Sequence, residues 1–367
     1  MKLHIFNPEH DIALAVNRKR FTPPHAGRQL RADIGFVPAF WAADGDLVLV
    51  DNVENALESV RHLKKYAHDV VFITADDLKS LGNVEGLSIV PWGWDITIRE
   101  QLLSGNNSFE RLMPNDEQLR NIREISNRRF AAKYLLPQLR QGRQAQTVGE
   151  SYYCEDEITA WTKIEQCGKC VLKSPWSSSG RGVRYITSST VDNQTKGWVK
   201  NVIHQQGGIM VEPLYAKVLD FGMEYTVDKN GEVEYCGLSL FSTSGSAYTG
   251  NLLATEADKR EILSRYFDID LLESVSADVK GILKDHLRGV YKGAFGIDMM
   301  AVAKTGKEGF YLHPCVELNL RMTMGHLALA LAPSVFEPQR VMNISFTDKY
   351  RIRIHETSNN VINNGII

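Results

Sequence analysis

Two apolar strand patterns joined by a tight turn constrain this chain more than any other feature. Ala294–Val302 and Gly309–Leu318 read as β-strands, and Lys304-Thr305-Gly306-Lys307 joins them, so an antiparallel hairpin is expected. The first strand carries a lone acid in Phe295-Gly296-Ile297-Asp298-Met299-Met300. The second ends in Glu317-Leu318-Asn319-Leu320-Arg321, which puts an acid, an amide and a base on alternate positions and therefore on one face. Asp298 can meet that row across the hairpin. An acid on a buried strand needs a partner. A salt-bridge network with Arg321 would satisfy it. So would a magnesium ion, which takes a few carboxylate or amide oxygens and leaves its other positions to water and phosphate. These residues alone leave both readings open.

The chain has 367 residues, 43% of them hydrophobic, enough for more than one packed domain. Lys and Arg number 42 against 44 Asp and Glu, and that balance excludes a general basic field for nucleic acid. No stretch approaches the apolar length of a membrane span, and Met1–Phe6 lacks the core of a signal peptide. Five cysteines over this length do not make a disulfide framework. A cytoplasmic protein without membrane or nucleic-acid partners is expected; a homo-oligomer is left open.

Strand and helix patterns alternate in the first part. Leu3–Phe6, Leu47–Val50, Val70–Ile73 and Leu87–Val90 read as short buried strands, and Val53–Ala67 as a helix capped by Asn52. Such β-α-β order implies a parallel sheet whose ligands gather at the carboxyl ends of its strands. Asn7–Asp11 and Trp92–Asp95 sit there as candidate substrate contacts, although a capped turn explains the second as well. One long helix is expected over Asp116–Leu139, a strand-rich region after Gly142, and helices over Lys259–Phe267 and Leu271–Tyr291. Tyr350–His355 alternates as a one-sided strand. The expected division is a Rossmann-like unit over 1–115, a second unit over 116–210 with a linking helix, and a third over 211–367.

Phosphate chemistry is suggested by Val171-Leu172-Lys173, a strand ending in a lysine, followed by Ser174-Pro175-Trp176-Ser177-Ser178-Ser179-Gly180-Arg181-Gly182. Small side chains let backbone amides approach an anion, and Lys173 adds a positive charge. The loop lacks the Gly-Lys-Ser/Thr of a Walker A motif, and taken alone it is more readily a common Ser/Gly hairpin connection than a phosphate site. Asp220-Phe221-Gly222 spells the kinase metal tripeptide without a His-Arg-Asp loop before it, and we assign it to chance. Cys167-Gly168-Lys169-Cys170 has no second pair and reads as two free thiols.

In order, these pieces resemble the ATP-grasp superfamily, ligases that hold ATP between two α+β subdomains, over about residues 127–325. The preceding α/β part looks like the Rossmann-like domain that often precedes the grasp. The resemblance implies that Arg128 and Lys173 contact ATP phosphates and that Ser177, Ser178, Ser179, Gly180, Arg181 and Gly182 form the phosphate loop. It further implies that Glu212, Pro213, Leu214 and Tyr215 are the adenine hinge, that Glu224 binds the ribose, and that Asp298, Glu317 and Asn319 hold magnesium or manganese. Arg321 becomes the base beside the transferred phosphate. Ser242–Asn251 lacks the lysine found in the D-alanine ligase branch, so that branch's substrate does not carry over.

The activity implied is ligation: a substrate carboxylate takes the γ-phosphoryl group, and an amine or thiol then displaces phosphate. Arg321 and Lys173 would be the catalytic cations, with small-molecule carboxylate and amine as partners. A kinase acting on a hydroxyl and a nucleotide-binding protein without turnover remain as alternatives.

Overall fold

The computed structural model describes residues 1–82, 84–177, 182–188, 190–245 and 247–356. Ser178, Ser179, Gly180 and Arg181 of the expected phosphate loop lie outside these residues, as do Ser246 and the tail from Thr357.

Strands β1 (Lys2–Ile5), β2 (Leu47–Leu49), β3 (Val71–Ile73) and β4 (Ser88–Pro91) fall within one residue of their expected bounds. They form an all-parallel sheet in the order β3-β2-β1-β4. Helices α1 (His10–Val16) and α2 (His25–Ile34) follow β1, α3 (Val53–Arg61) follows β2, α4 (Ala75–Ser80) follows β3, and α5 (Ile96–Gly105) follows β4. Asn52 caps α3 by accepting from the Asn55 amide, but the helix stops at Arg61 rather than Ala67, and Lys64–Tyr66 makes a separate tight turn. The strand order reverses at β1, so the crevice between the ends of β1 and β4 is where such a sheet places ligands. Asn7–Asp11 and Trp92–Asp95 line it.

The single helix expected over Asp116–Leu139 breaks. Helix α6 (Asp116–Ile125) ends, Asn127 turns extended at φ −71°, ψ 130°, and its side chain accepts from the Arg129 amide to start α7 (Arg128–Phe130). A wide turn, Ala131–Leu135, and α8 (Leu136–Arg140) complete the segment. An asparagine competes with the helix for its own backbone, which is why the break falls there. The restart also carries the Arg128 amide to the Pro175 carbonyl at 3.1 Å.

A small antiparallel sheet follows, with β5 (Tyr152–Cys154), β6 (Cys170–Lys173), β7 (Val183–Ile186) and β8 (Ile209–Pro213) in the order β5-β8-β6-β7. Helices α9 (Glu157–Cys167) and α10 (Asn193–Gln206) back it.

The large antiparallel sheet has β9 (Lys217–Val227), β10 (Val233–Ser244), β11 (Ala247–Leu253), β12 (Gly293–Ala303), β13 (Phe310–Asn319), β14 (Arg340–Phe346) and β15 (Tyr350–Glu356), ordered β13-β12-β9-β10-β11-β14-β15. Helices α11 (Glu256–Ser264) and α12 (Ile269–Leu287) cover one face, and α13 (Met324–Ala330) packs on β9, β10 and β11. Alternation along β9 divides its side chains. Phe221, Met223 and Tyr225 join Leu272, Val275 and Val279 in the core, while Asp220, Gly222 and Glu224 face the opposite side. A second core joins Phe6 and Trp92 of the parallel sheet to Leu253, Leu327, Met342 and Ile352. Hydrophobic burial thus fastens the crevice of the first sheet beside the polar face of the third. Among the described residues no helix is long and apolar enough to cross a membrane.

Candidate functional site

The hairpin forms as expected. In the β12–β13 register Asp298 lies opposite Glu317, and Gly296 opposite Asn319. Asp298, Glu317 and Asn319 therefore share one face. Burial pushes the Asp298 carboxyl up to about 8, and the neighbouring charges of Glu317 and Glu224 act in the same direction, against Arg321 and a hydrogen bond from Asn319. Two carboxylates directly opposed repel each other, and a divalent cation between them would remove that cost. Asp298, Glu317 and Asn319 fit such an ion, because magnesium asks the protein for only part of its shell. Among the described residues no group of three His, Cys, Asp or Glu side chains is arranged to hold a metal alone.

Arg321, expected to continue the row, lies in a bend just past the end of β13, where its amide donates to the Asn319 carbonyl at 2.8 Å, and its side chain reaches a distant partner. Its guanidinium donates from Nε to both carboxylate oxygens of Asp11 at 3.1 Å and lies 2.9 Å from Oδ2 through Nη2. Nη2 also donates to the Asn319 side-chain oxygen at 2.9 Å. Burial alone would lower the Arg321 pKa, but Asp11, with the charges of Glu317 and Asp298, more than offsets it and the guanidinium rises. Asp11 answers in kind: burial opposes its ionisation, yet Arg321 and His10 hold its carboxyl below the usual range. This pair ties the crevice of the parallel sheet to the Asp298–Glu317–Asn319 row.

Arg128 ties the small sheet to the same row. Its guanidinium donates to the Ser174 carbonyl at 2.6 Å, to Ser177 Oγ at 2.9 Å, and to Glu317 Oε1 at 2.6 Å. The mouth of the expected phosphate loop is closed by the Ser174 amide donating to the Gly182 carbonyl at 2.8 Å. A side chain at Gly182 would collide with Ser177, which explains the glycine there.

Lys173 sits 2.6 Å from Glu212 Oε2, with the Val316 carbonyl at 3.5 Å. Glu212 takes a further bond from Ser151 Oγ at 2.9 Å. Leu214 spends its amide on the Lys169 carbonyl at 3.0 Å, so its N–H is not the hinge group that reads an adenine edge. Pro213 ends β8, and Tyr215 packs edge-on against His313 at 5.7 Å between ring centroids. Burial, Lys173 and Arg140 lower the pKa of His313 to about 3, so it is a neutral packing group.

Glu224 corrects an expectation. The resemblance makes it the ribose acid, but it is 2% exposed beneath the first turn of α13. Its Oε2 accepts from Thr323 Oγ1 at 2.8 Å and lies 3.1 Å from His326 Nδ1. Gly222, Gly296 and Gly325 leave room for it, and a Cβ at Gly325 would strike Oε1. A carboxylate so enclosed does not reach a sugar. Nearer the hinge on the same face, Asp220 is bonded by Lys217 and by Thr243 Oγ1, the latter at 2.8 Å, and it is the accessible acid of β9. The tripeptide dismissed as chance contains it. The Ser242–Asn251 segment lies in the β10–β11 hairpin, with Ser242 and Thr249 hydroxyls 2.7 Å apart.

On the crevice side, Asp95 caps α5 by accepting from the Thr97 and Ile98 amides. It also lies 2.9 Å from His10 Nδ1, while Asn7 Nδ2 donates to the Gly93 carbonyl at 2.9 Å. The capped turn and the contact with the first loop are therefore both present. All five cysteines are free thiols.

No protein-family model matches the chain. The butirosin acyl-carrier protein–L-glutamate ligase of Niallia circulans is 24% identical over 272 residues, 68% of this chain. The chain spans 55% of that ligase's length. Among solved structures, N5-carboxyaminoimidazole synthetase from Staphylococcus aureus complexed with ADP is 12% identical, covers 94% of this chain and 82% of its own, and has a TM-score of 0.45. Biotin carboxylase from Campylobacter jejuni is 13% identical over 94% of this chain and 75% of its own, with a TM-score of 0.48. The ligase relative bears out the resemblance to ATP-grasp enzymes.

Proposed function

We propose that this ATP-grasp-like chain is an ATP-dependent carboxylate–amine ligase that activates a small-molecule carboxylate as an acyl phosphate. The observation that carries the reading is the opposed Asp298–Glu317 pair, with Arg128 on one side and Arg321 on the other. Asp298, Glu317 and Asn319 would hold magnesium or manganese, which when bound offsets charge on the terminal phosphates of ATP. Arg128 and Lys173 bring positive charge from the small sheet, and Ser177 and Gly182 place the loop mouth beside them. Arg321, held by Asp11, puts a fixed cation where charge develops on the transferred phosphoryl group. The substrate carboxylate attacks the γ-phosphorus and ADP leaves. An amine (or thiol) then displaces inorganic phosphate. Asn7–Asp11 and Trp92–Asp95 form the acceptor side, and enclosure between the sheets excludes water from the acyl phosphate.

The test is to supply ATP, magnesium and pools of amino acids and carboxylates, L-glutamate among them because the relative's name specifies it. ADP and free phosphate are measured in parallel. Equal release dependent on a carboxylate and an amine supports ligation. ADP without phosphate favours a kinase, and ATP binding without either product contradicts both.

A further inference from the structure

A cavity of about 450 Å³ lies in the parallel-sheet unit, lined in part by Leu49 of β2, Ala75 and Leu78 of α4, and Ile98 and Leu102 of α5. It opens beside the carboxyl ends of β2 and β3, and none of its lining residues belongs to the phosphate and metal row. Its volume is within the range of small-molecule sites.

Cations outnumber acids among the residues that line it, and each cation has an acid within 4.0 Å, from Glu100, Glu9, Asp51 and Asp76. Lys19, Arg20, Arg31 and Lys79 line the cavity, against Glu100 as the acid among its lining residues. Three of the four cations are loosely held. Lys19 and Arg20 reach Glu100 only at 4.0 and 3.6 Å with side chains 62% and 84% exposed, and Lys79 pairs on the surface with Asp76. Exposed pairs of this kind contribute little and exchange readily for a better anion. The fourth is fixed: Arg31 donates to Glu9 at 2.9 Å. The basic segment itself is pinned to the cavity wall, because Thr97 Oγ1 donates to the Arg18 carbonyl at 2.8 Å. An apolar floor under a cationic rim matches one kind of occupant, an organic anion with an apolar body.

We propose that this cavity is a second binding site, separate from the nucleotide site, for a small amphipathic anion bearing a phosphate or carboxylate group. It does not need the ligase reading, because none of the lining residues is given a role in that chemistry; Arg31 is the link between the two, through Glu9 of the acceptor segment.

The probes are 1-naphthyl phosphate and 1-naphthoate, titrated calorimetrically into the full chain with and without saturating Mg-ATP. One-to-one binding that Mg-ATP does not displace is expected, and the better of the two probes identifies the headgroup. Reversal of charge in the Lys19→Glu/Arg20→Glu double variant should weaken binding about tenfold or more, since each lost charge-assisted bond is worth about that factor. Ala75→Trp, at an exposed position on the cavity wall, should block the probe without touching the core. Competition by Mg-ATP, an unchanged affinity in both variants, or no binding of either probe would overturn the proposal. ATP turnover, measured on the same variants, should stay at the wild-type level, so failure here and failure of the ligase reading are separate results.

Discussion

The β12–β13 hairpin and the crevice of the parallel sheet meet through one ion pair, yet they are built on opposite principles. On the hairpin, the proposed function rests on strand geometry: Asp298, Glu317 and Asn319 share a face that pleating imposes, and Arg321 follows in a bend just past the strand end. In the crevice, position comes from side-chain bonds between loops, as with Asn7 to Gly93 and His10 to Asp95. The first can hold charges in repulsion because its backbone is fixed. The second can vary its contacts without disturbing a sheet. In the ligase we propose, chemistry common to many substrates belongs to the hairpin, and substrate choice to the crevice.

Breaking the hairpin should have the largest effect. Asp298→Asn or Glu317→Ala should lower turnover by roughly a thousandfold while circular dichroism stays unchanged. If either variant keeps wild-type turnover, the hairpin is not the chemical centre. Cutting the joint between the regions comes next. Asp11→Asn removes the charge that orients Arg321 and should cost about 10- to 100-fold in kcat, with the KM for ATP little changed. A change confined to KM would make Asp11 a binding group.

The pH dependence sharpens the comparison further. Burial and the charges of Glu317 and Glu224 raise the Asp298 pKa to about 8, so in the free protein the pair should hold a proton at neutral pH that it must lose to hold a cation. Magnesium or manganese affinity should thus rise with pH up to about 8 and level off above it, with a proton released on binding at neutral pH. In Asp298→Asn that slope should vanish. The smallest effect lies in the crevice. An alanine at Gly93 would bring its Cβ within 2.5 Å of the His10 ring. It should cost about 1–3 kcal/mol of stability and raise the KM of the acceptor while leaving ATP binding intact.

What was legible in the sequence follows the same division. The hairpin and its row of Asp298, Glu317 and Asn319 could be read because strand periodicity encodes which residues share a face, whereas the bend that carries Arg321 out of the strand could not. The parallel sheet was readable for the same reason. The partner of Arg321 was not, since Asp11 lies 310 positions away and no local pattern links them. Glu224 was misassigned because its match to a motif says nothing of the α13 turn that covers it. The break at Asn127 was missed because apolar spacing continues through it, although an asparagine able to cap was in view.

The most direct test of carboxylate activation uses a substrate whose carboxylate carries heavy oxygen, followed by mass spectrometry of the phosphate released. Transfer of one labelled oxygen from carboxylate to phosphate is predicted, because the acyl phosphate shares that oxygen between the two groups. Product formed with only unlabelled phosphate would contradict an acyl phosphate and, with it, the role given to the Asp298–Glu317 hairpin.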